Sequence, residues 1–326
     1  MHNVKKINWG ILGLGNIAHK FAEDLILVDD ADIISVASSS IERAKNFGKK
    51  FEVKKIYDSY EKLLNDKDID VIYIASINTL HVEWTIKSLN KGKAVLCEKP
   101  LAMNPVDVKK MIDTSVKNSV FLMEALWSRF NPSICKIKEL IDNGLIGEIK
   151  YIYSEFSFLL KKMEKNHRLI DPKKGPGALV DIGIYPIFFS YLLLGEPKEI
   201  VAKAHYFNSK ADIQISMIFQ YENAQALMYS GIANNSDNGA KICGTKGEIY
   251  LNSRWHETDS FKLLNEMKEE IFEIPKKGRG YTHEIEEVNK CLKKNKIESP
   301  LWSHKNSYEL SVLINKIRES SNKEKD

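Results

Sequence analysis

The stretch Ile7-Asn8-Trp9-Gly10-Ile11-Leu12-Gly13-Leu14-Gly15-Asn16-Ile17-Ala18 decides how the first third of the chain folds. Ile7 to Leu12 has little polar interruption and reads as a strand. A glycine turn follows at once, and an amphipathic segment then runs to about Val28. Strand, glycine turn and helix stand in the order that a dinucleotide-binding fingerprint requires. Gly13 would permit the tight turn, Gly15 would let a pyrophosphate approach the backbone, and Ala18 would allow close helix–strand packing. Asn16 and Ile17 open the helix, whose free N–H groups and dipole would hold the phosphates.

The alternation continues outward from this unit. Asp32 to Ala37, Ile56-Tyr57, Asp70 to Ala75, Ala94 to Cys97 and Val120 to Met123 read as strands. Helical segments separate them at Ile41 to Phe51, Tyr60 to Asn65, Leu80 to Lys91 and Pro105 to Lys117, the last with Asn104 as its N-cap. Strands alternating with helices predict an α/β fold: a doubly wound parallel sheet covered on both faces. At the end of the second strand an NAD site usually places an acidic residue on the ribose 2′-OH. This chain has Ser38-Ser39-Ser40 there, with Arg43 just beyond. Hydroxyls can donate to a 2′-phosphate and Arg43 can pair with it, which favours NADP, with NAD as the alternative.

Glu98-Lys99-Pro100 closes the apolar run Ala94-Val95-Leu96-Cys97. A charged pair at the carboxyl end of a parallel strand sits where open α/β sheets bind ligands. Proline stops the strand, and a lysine held there can reach a bound substrate. Taken alone, the tripeptide reads more readily as an ordinary surface turn.

Around Glu124 the alternation stops, which predicts a dinucleotide-binding domain over residues 1–124 and a second domain over 125–326. A helix ending near Gly144 is followed by strand-like runs at Glu148 to Phe158, Glu199 to Phe207, Ile213 to Gln220, Gln225 to Ser230, Ala240 to Cys243 and Glu248 to Leu251. They predict a large, open, mostly antiparallel sheet. Tyr281 to Leu292 and His304 to Arg318 read as closing helices, and the tail after Ser320 as a frayed end. Gly175-Pro176-Gly177 opens an apolar stretch that continues to Leu194, a buried helix by its composition. Asp181 and Tyr185 lie four apart on it and share a face. A carboxylate and a phenol on a buried helix need partners or a purpose.

At 326 residues two domains are the default, and a hydrophobic fraction of 43% supports real cores. The formal net charge of +4 comes from 48 basic and 44 acidic residues spread along the chain, which argues against nucleic acid. Cys97, Cys135, Cys243 and Cys291 form no CxxC pair, so no metal site and no disulfide framework is expected. Reduced thiols, together with an N-terminus that leads straight into a strand, predict a cytoplasmic protein without a signal peptide. No apolar run approaches the roughly 20 residues of a membrane helix, so no membrane association is expected.

Together these segments resemble the glucose-fructose oxidoreductase, inositol dehydrogenase and rhizopine-catabolism family, often called Gfo/Idh/MocA. The anchors are Gly13 to Ala18, Cys97-Glu98-Lys99-Pro100-Leu101-Ala102, and Gly177 to Pro186, three motifs in the right order over nearly the whole chain. Glu124-Ala125-Leu126-Trp127-Ser128-Arg129-Phe130-Asn131-Pro132 is similar to the branch that contains dimeric dihydrodiol dehydrogenase and NADP-dependent D-xylose 1-dehydrogenase. The resemblance implies hydride transfer between nicotinamide C4 and a secondary alcohol or hemiacetal of a sugar, polyol or dihydrodiol. It implies Lys99 as a catalytic or substrate-orienting lysine with a cis Lys99–Pro100 bond. Ser76, Asn78 and His81 would line the nicotinamide ribose, beside Glu98 and Lys99. It also implies a homodimer or higher oligomer through the large sheet. Many members carry histidine where Tyr185 stands, so here tyrosine becomes the candidate proton carrier, with Asp181 orienting. Trp127, Arg129, Phe158, His167 and Arg168 are the further candidates to line a substrate pocket. Some members have become nucleotide-binding sensors without chemistry, and the presence of Lys99, Asp181 and Tyr185 speaks for the enzyme.

Overall fold

The computed structural model describes residues 6–208, 211–266 and 268–322. The expected N-terminal lead-in lies outside the described residues, as does the tail from residue 323 onward, while Ser321 and Asn322, expected to fray, still belong to the last helix. Two compact units divide the chain. Unit 1 takes the residues up to Phe130 together with Lys277–Tyr308, and unit 2 takes Asn131–Lys276 together with the chain from Glu309 on.

Unit 1 runs β1 (Ile7–Leu12), α1 (Asn16–Leu25), β2 (Ala31–Ala37), α2 (Ile41–Lys50), β3 (Lys55–Tyr57), α3 (Tyr60–Leu64), β4 (Val71–Ile74), α4 (His81–Asn90), β5 (Ala94–Glu98), α5 (Pro105–Asn118) and β6 (Leu122–Ala125). The six strands are parallel in the order β3-β2-β1-β4-β5-β6. That is the classical doubly wound order, with its switch point between β1 and β4. β4 and β5 are buried along their whole length, as strands covered on both faces must be. Side-chain caps start the helices where the sequence supplies them. Asn104 accepts from the N–H of Asp107 ahead of Pro105, and Ser40 accepts from the N–H of Arg43. Strand β6 lies two residues later than its apolar run suggests, because Glu124 and Ala125 pair with Cys97 and Glu98.

Residues far along the chain complete this unit. The Asp24 carboxylate accepts from the backbone N–H groups of Arg279 and Tyr281, at 2.9 Å and 2.8 Å, and so caps the next helix of the unit, Tyr281–Lys293. The Trp9 indole donates to Asn289 at 3.2 Å, Leu122 N–H donates to the Ile297 carbonyl at 3.0 Å, and the Trp302 indole donates to Glu124 at 3.2 Å.

Unit 2 opens with α6 (Pro132–Asp142), which Asn131 caps, and β7 (Ile149–Ser157). A 3-10 turn at Pro172–Lys174 and a π-helical turn at Leu179–Gly183 lead into α7 (Ile184–Leu194). The strands β8 (Glu199–Tyr206), β9 (Asp212–Gln220), β10 (Gln225–Gly231), β11 (Ala240–Gly244), β12 (Gly247–Leu251), β13 (Ser260–Asn265) and β14 (Glu269–Glu273) follow. The chain ends with α8 (Tyr281–Lys293), which belongs to unit 1, and α9 (His304–Asn322). The eight-stranded sheet has the order β14-β13-β12-β11-β7-β10-β9-β8 and is antiparallel except where β10 pairs with β7. β13 and β14 escape a reading by alternation, since their short runs carry Lys262 and the acidic Glu269, Glu270 and Glu273.

The helical stretch Pro172–Leu194 corrects one expectation. By length and composition it is long and apolar enough to cross a membrane, although non-helical residues 175–177 separate the 3-10 turn from the π-helical turn and α7. Of its most apolar window 78% is buried inside the protein, the pattern of a core helix.

Candidate functional site

The glycine turn of unit 1 joins β1 to α1 at the carboxyl end of the parallel sheet. Gly13 has φ +88°, and a Cβ there would lie 2.8 Å from the carbonyl carbon of Ala75. Only glycine fits, for conformation and for space. Gly15 differs: nothing lies within 4 Å of where its Cβ would stand. It precedes α1 in extended conformation, and no side chain caps the helix. Open space at Gly15 and an uncapped helix N-terminus at Asn16 and Ile17 form a cradle that fits a dinucleotide pyrophosphate.

At the end of β2 the three serines have different duties. Ser38 is buried and its hydroxyl accepts from the N–H of Ser40 at 3.2 Å. Ser40 caps α2. Ser39 and Arg43 are exposed beside them. The hydroxyl and guanidinium open to a ligand are therefore those of Ser39 and Arg43, and Ser38 shapes the turn that presents them.

The ends of β4 and β5 are tied together by a buried imidazole. His81 is fully buried, with Nδ1 2.9 Å from the Pro100 carbonyl and Nε2 3.2 Å from the Ser76 carbonyl. Burial lowers its pKa below the ordinary histidine value, against the pull of the two carbonyls. His81 thus braces the backbone at Ser76 and after Lys99, while Ser76 and Asn78 stand at the surface above it. The Lys99–Pro100 peptide is cis. Glu98 is buried; it accepts from the Tyr73 hydroxyl and, at 3.2 Å, from the N–H of Lys99. Glu124 accepts from the N–H of Leu101 at 2.9 Å on the other side of the turn. Two buried carboxylates and an imidazole therefore fix the backbone around partly exposed Lys99.

Behind Glu98 lies Glu284 of α8, fully buried, and neither of its oxygens has a hydrogen-bond partner among the described residues. Burial, and then the charges of Glu98 and Asp24, push its pKa well above the usual carboxylate range. Trp127 stacks on Tyr281 with ring centroids 4.5 Å apart, and Arg129 donates from Nε to the Leu301 carbonyl at 2.9 Å. Both contacts fasten the 3-10 turn Trp127–Phe130 to the second segment of unit 1.

In unit 2 the π-helical turn carries Asp181, and the first turn of α7 carries Tyr185; both are buried. Arg168 binds both oxygens of Asp181, Nη1 to Oδ1 at 2.8 Å and Nη2 to Oδ2 at 3.2 Å. His167 faces its own loop, its Nδ1 accepting from the N–H of Leu169 at 3.2 Å. Tyr185 sits in a cluster of rings with Phe156 and His256. The Tyr185–His256 centroids are 5.0 Å apart, Tyr185–Phe156 5.5 Å, and Phe156 stacks on His256 at 4.2 Å. Phe158 packs, as Phe156 also does, on the apolar cluster of Leu169, Ile170, Ala178 and Ile182.

The structure thus gathers Lys99, Glu98, Ser76 and His81 in one part of unit 1, and Asp181, Arg168 and Tyr185 in one part of unit 2. A sequence reading passes over Phe156, His256, Tyr73 and Glu284. Phe156 lies two residues before Phe158, a signal of period two that was present. His256 and Glu284 reach their places through tertiary packing, for which no local pattern exists.

Comparison with known proteins identifies the family of the chain. Residues 7–126 match the model of the oxidoreductase family with an NAD-binding Rossmann fold, and residues 134–250 match the GFO/IDH/MocA C-terminal domain. The chain is 38% identical over 309 residues to trans-1,2-dihydrobenzene-1,2-diol dehydrogenase of Xenopus tropicalis, covering 90% of this chain and 92% of that protein. It is 36% identical over 325 residues to the Xenopus laevis enzyme of the same name, covering 95% and 97%. A 3-ketoreductase from Actinomadura kijaniata, solved with NADP and TDP-benzene, shares the fold with a TM-score of 0.87 at 23% identity, over 97% of this chain and 98% of that one.

Proposed function

Because this chain belongs to the GFO/IDH/MocA oxidoreductase family, with its NAD-binding Rossmann fold, we propose that it is an NADP-dependent dehydrogenase of small cyclic substrates with adjacent hydroxyls, a dihydrodiol or a ring-form sugar. The observation that carries this reading is the likeness to trans-1,2-dihydrobenzene-1,2-diol dehydrogenases over nine-tenths of the chain. Exposed Ser39 and Arg43, with serines at 38–40 where an acidic residue would bind a ribose 2′-OH, support a 2′-phosphate and hence NADP.

The bound nicotinamide supplies the hydride acceptor. In oxidation Tyr185 takes the hydroxyl proton. A free phenol titrates near pH ~10, so it needs a cation to act at neutral pH, and the Lys99 ammonium is that cation. Lys99 also hydrogen-bonds the reacting oxygen and stabilises its developing charge. Asp181, fixed by Arg168, orients a substrate hydroxyl. Reduction runs the same groups in reverse.

The outer face of the eight-stranded sheet supports a homodimer. Val201, Ile218, Leu227, Tyr153, Lys241, Tyr250 and Lys262 are successive cross-strand neighbours in one row. Val201 is 43% and Ile218 42% exposed, an apolar end suited to a second copy. The four free thiols support work in a reducing compartment, the cytoplasm.

The test is fluorescence binding of NADPH and NADH, followed by turnover on dihydrodiols, aldoses, inositols and dicarbonyl sugars. NADPH-dependent turnover of diols or sugars is the expected result. Tight NADPH binding without turnover on any of them would point to a sensor and overturn the reading.

A further inference from the structure

The helix that carries Asp181 and Tyr185 begins without a cap of its own. Ala178 stands at its N-cap position and offers no side-chain acceptor. The acceptor comes from another element. The Asp212 carboxylate, at the start of β9, accepts from the N–H of Leu179 at 2.6 Å and also bonds the N–H of Ala178. Gly177 makes this approach possible. It has φ +114°, and a Cβ there would lie 2.0 Å from Asp212 Oδ1.

We propose that Asp212 is a positioning residue for the Asp181–Tyr185 segment, holding the start of that helix from the neighbouring strand. The inference rests on the reading of Tyr185 and Asp181 as reaction groups. A carboxylate at a helix N-terminus satisfies orphan N–H donors and favours the helix dipole. Here it also sets where the π-helical turn begins, and therefore where Asp181 meets Arg168 and where Tyr185 meets Phe156 and His256. Asp212 has charged and titratable neighbours among the described residues. Arg318 of α9 faces it and favours the carboxylate, Tyr206 is its register partner on β8, and the capped segment itself bears Asp181, held by Arg168. Burial outweighs Arg318 and raises the Asp212 pKa to about 6. The cap is therefore charged at pH 8 and becomes a weaker acceptor as Asp212 takes up a proton below about pH 6.

The test is hydrogen exchange of the Ala178–Tyr185 amides between pH 5 and pH 8, corrected for intrinsic rates, with kcat followed in parallel. In the wild type, protection is expected to fall roughly fivefold or more on acidification through the Asp212 titration, the worth of a helix cap. Asp212→Asn is expected to show the low protection at every pH, with a lowered kcat and unchanged NADPH binding. Asp181→Asn, as control, is expected to keep the exchange step. Equal protection in wild type and Asp212→Asn at pH 8 would overturn the assignment. Should Asp212→Asn fail to fold, a flat wild-type profile would overturn it equally. A failure of the proposed reaction is distinguishable: the wild type would lack turnover while the exchange step remained.

Discussion

Arg168 grips Asp181 through two separate hydrogen bonds, one to each carboxylate oxygen, from a loop thirteen residues earlier in the chain. The Arg168 side chain is 58% exposed and that of Asp181 12%, so solvent screens the pair and its contribution to stability is small. Its effect is directional. Lysine is a point charge that cannot span both oxygens. Arg168→Lys is therefore expected to lower kcat roughly 10- to 100-fold, as misplacement of an orienting group does, with little change in Tm. Steady-state kinetics alongside thermal unfolding checks this.

Tyr185 and Lys99 have separable duties in the proposed reaction. Tyr185→Phe removes the proton carrier and is expected to cost ~10²–10⁴ in kcat with NADPH affinity unchanged. Lys99→Met removes the charge that favours the phenolate, and should shift the pH dependence of kcat to higher pH as well as lower kcat. Near-normal turnover in Tyr185→Phe would assign the proton to Lys99 instead. Single-turnover measurements of the hydride step decide between them.

The two glycines of the nucleotide turn are expected to fail differently. Gly13→Ala pushes a methyl against the Ala75 carbonyl from a left-handed backbone and should destabilise unit 1 by about 1–3 kcal/mol. Gly15→Ala meets no protein atom within 4 Å. It should leave Tm close to the wild-type value yet weaken NADPH binding, because the methyl occupies the space a pyrophosphate needs. Calorimetric unfolding and a fluorescence titration on both variants give the contrast.

Cofactor choice is expected to follow the end of β2. Arg43→Ala should raise the Kd for NADPH about tenfold or more, the range of a charge-assisted hydrogen bond, and leave that for NADH unchanged. Ser39→Asp should go further and invert the preference by repelling the 2′-phosphate. Competitive binding of the two cofactors measures the ratio.

Glu284 gives a prediction about pH. Its carboxyl is buried and its pKa stands well above the usual range, so the folded state holds a proton that the unfolded state has released. Stability from this group is present at low pH and is lost as pH rises from the unfolded value, near 4.5, toward the folded one. The slope approaches ~1.4 kcal/mol per pH unit in that window. Glu284→Gln removes the slope and should be the more stable protein at pH 8, with the advantage shrinking toward pH 5. Urea unfolding across this range tests the sign.

Much of unit 1 is readable from local pattern, because its strands are continuous apolar runs and its helices begin at visible caps such as Asn104 and Ser40. The glycine turn is legible for the same reason: its chemistry is local. The lysine after β5 and the Asp181–Tyr185 pair stand out as charged or polar groups in apolar settings. What stays hidden is set by partners distant in sequence. Nothing near Asp181 names Arg168, nothing near Ala178 names Asp212, and the serines after β2 look alike until burial separates Ser38 from Ser39. The division at residues 124 and 125 follows the change of periodicity, whereas the compact units divide after Phe130 and return Lys277–Tyr308 to unit 1, where Asp24, Trp9 and Glu124 hold it.

That return has a consequence for biosynthesis. A ribosome delivers the six strands of the parallel sheet early, but the residues that cap, buttress and bury its outer helix arrive only after Asn131–Lys276, the first segment of unit 2, has been made. The wait is roughly 150 residues, about 7–30 s at ~5–20 residues per second. During it, Asp24 has no helix to cap and the indole of Trp9 lacks its amide partner. The nascent nucleotide-binding sheet thus waits for its last helix until the chain is nearly complete, and unit 2 waits longer still for its own closing segment, whose Glu309 and Ser320 bond Tyr191 and Ala202.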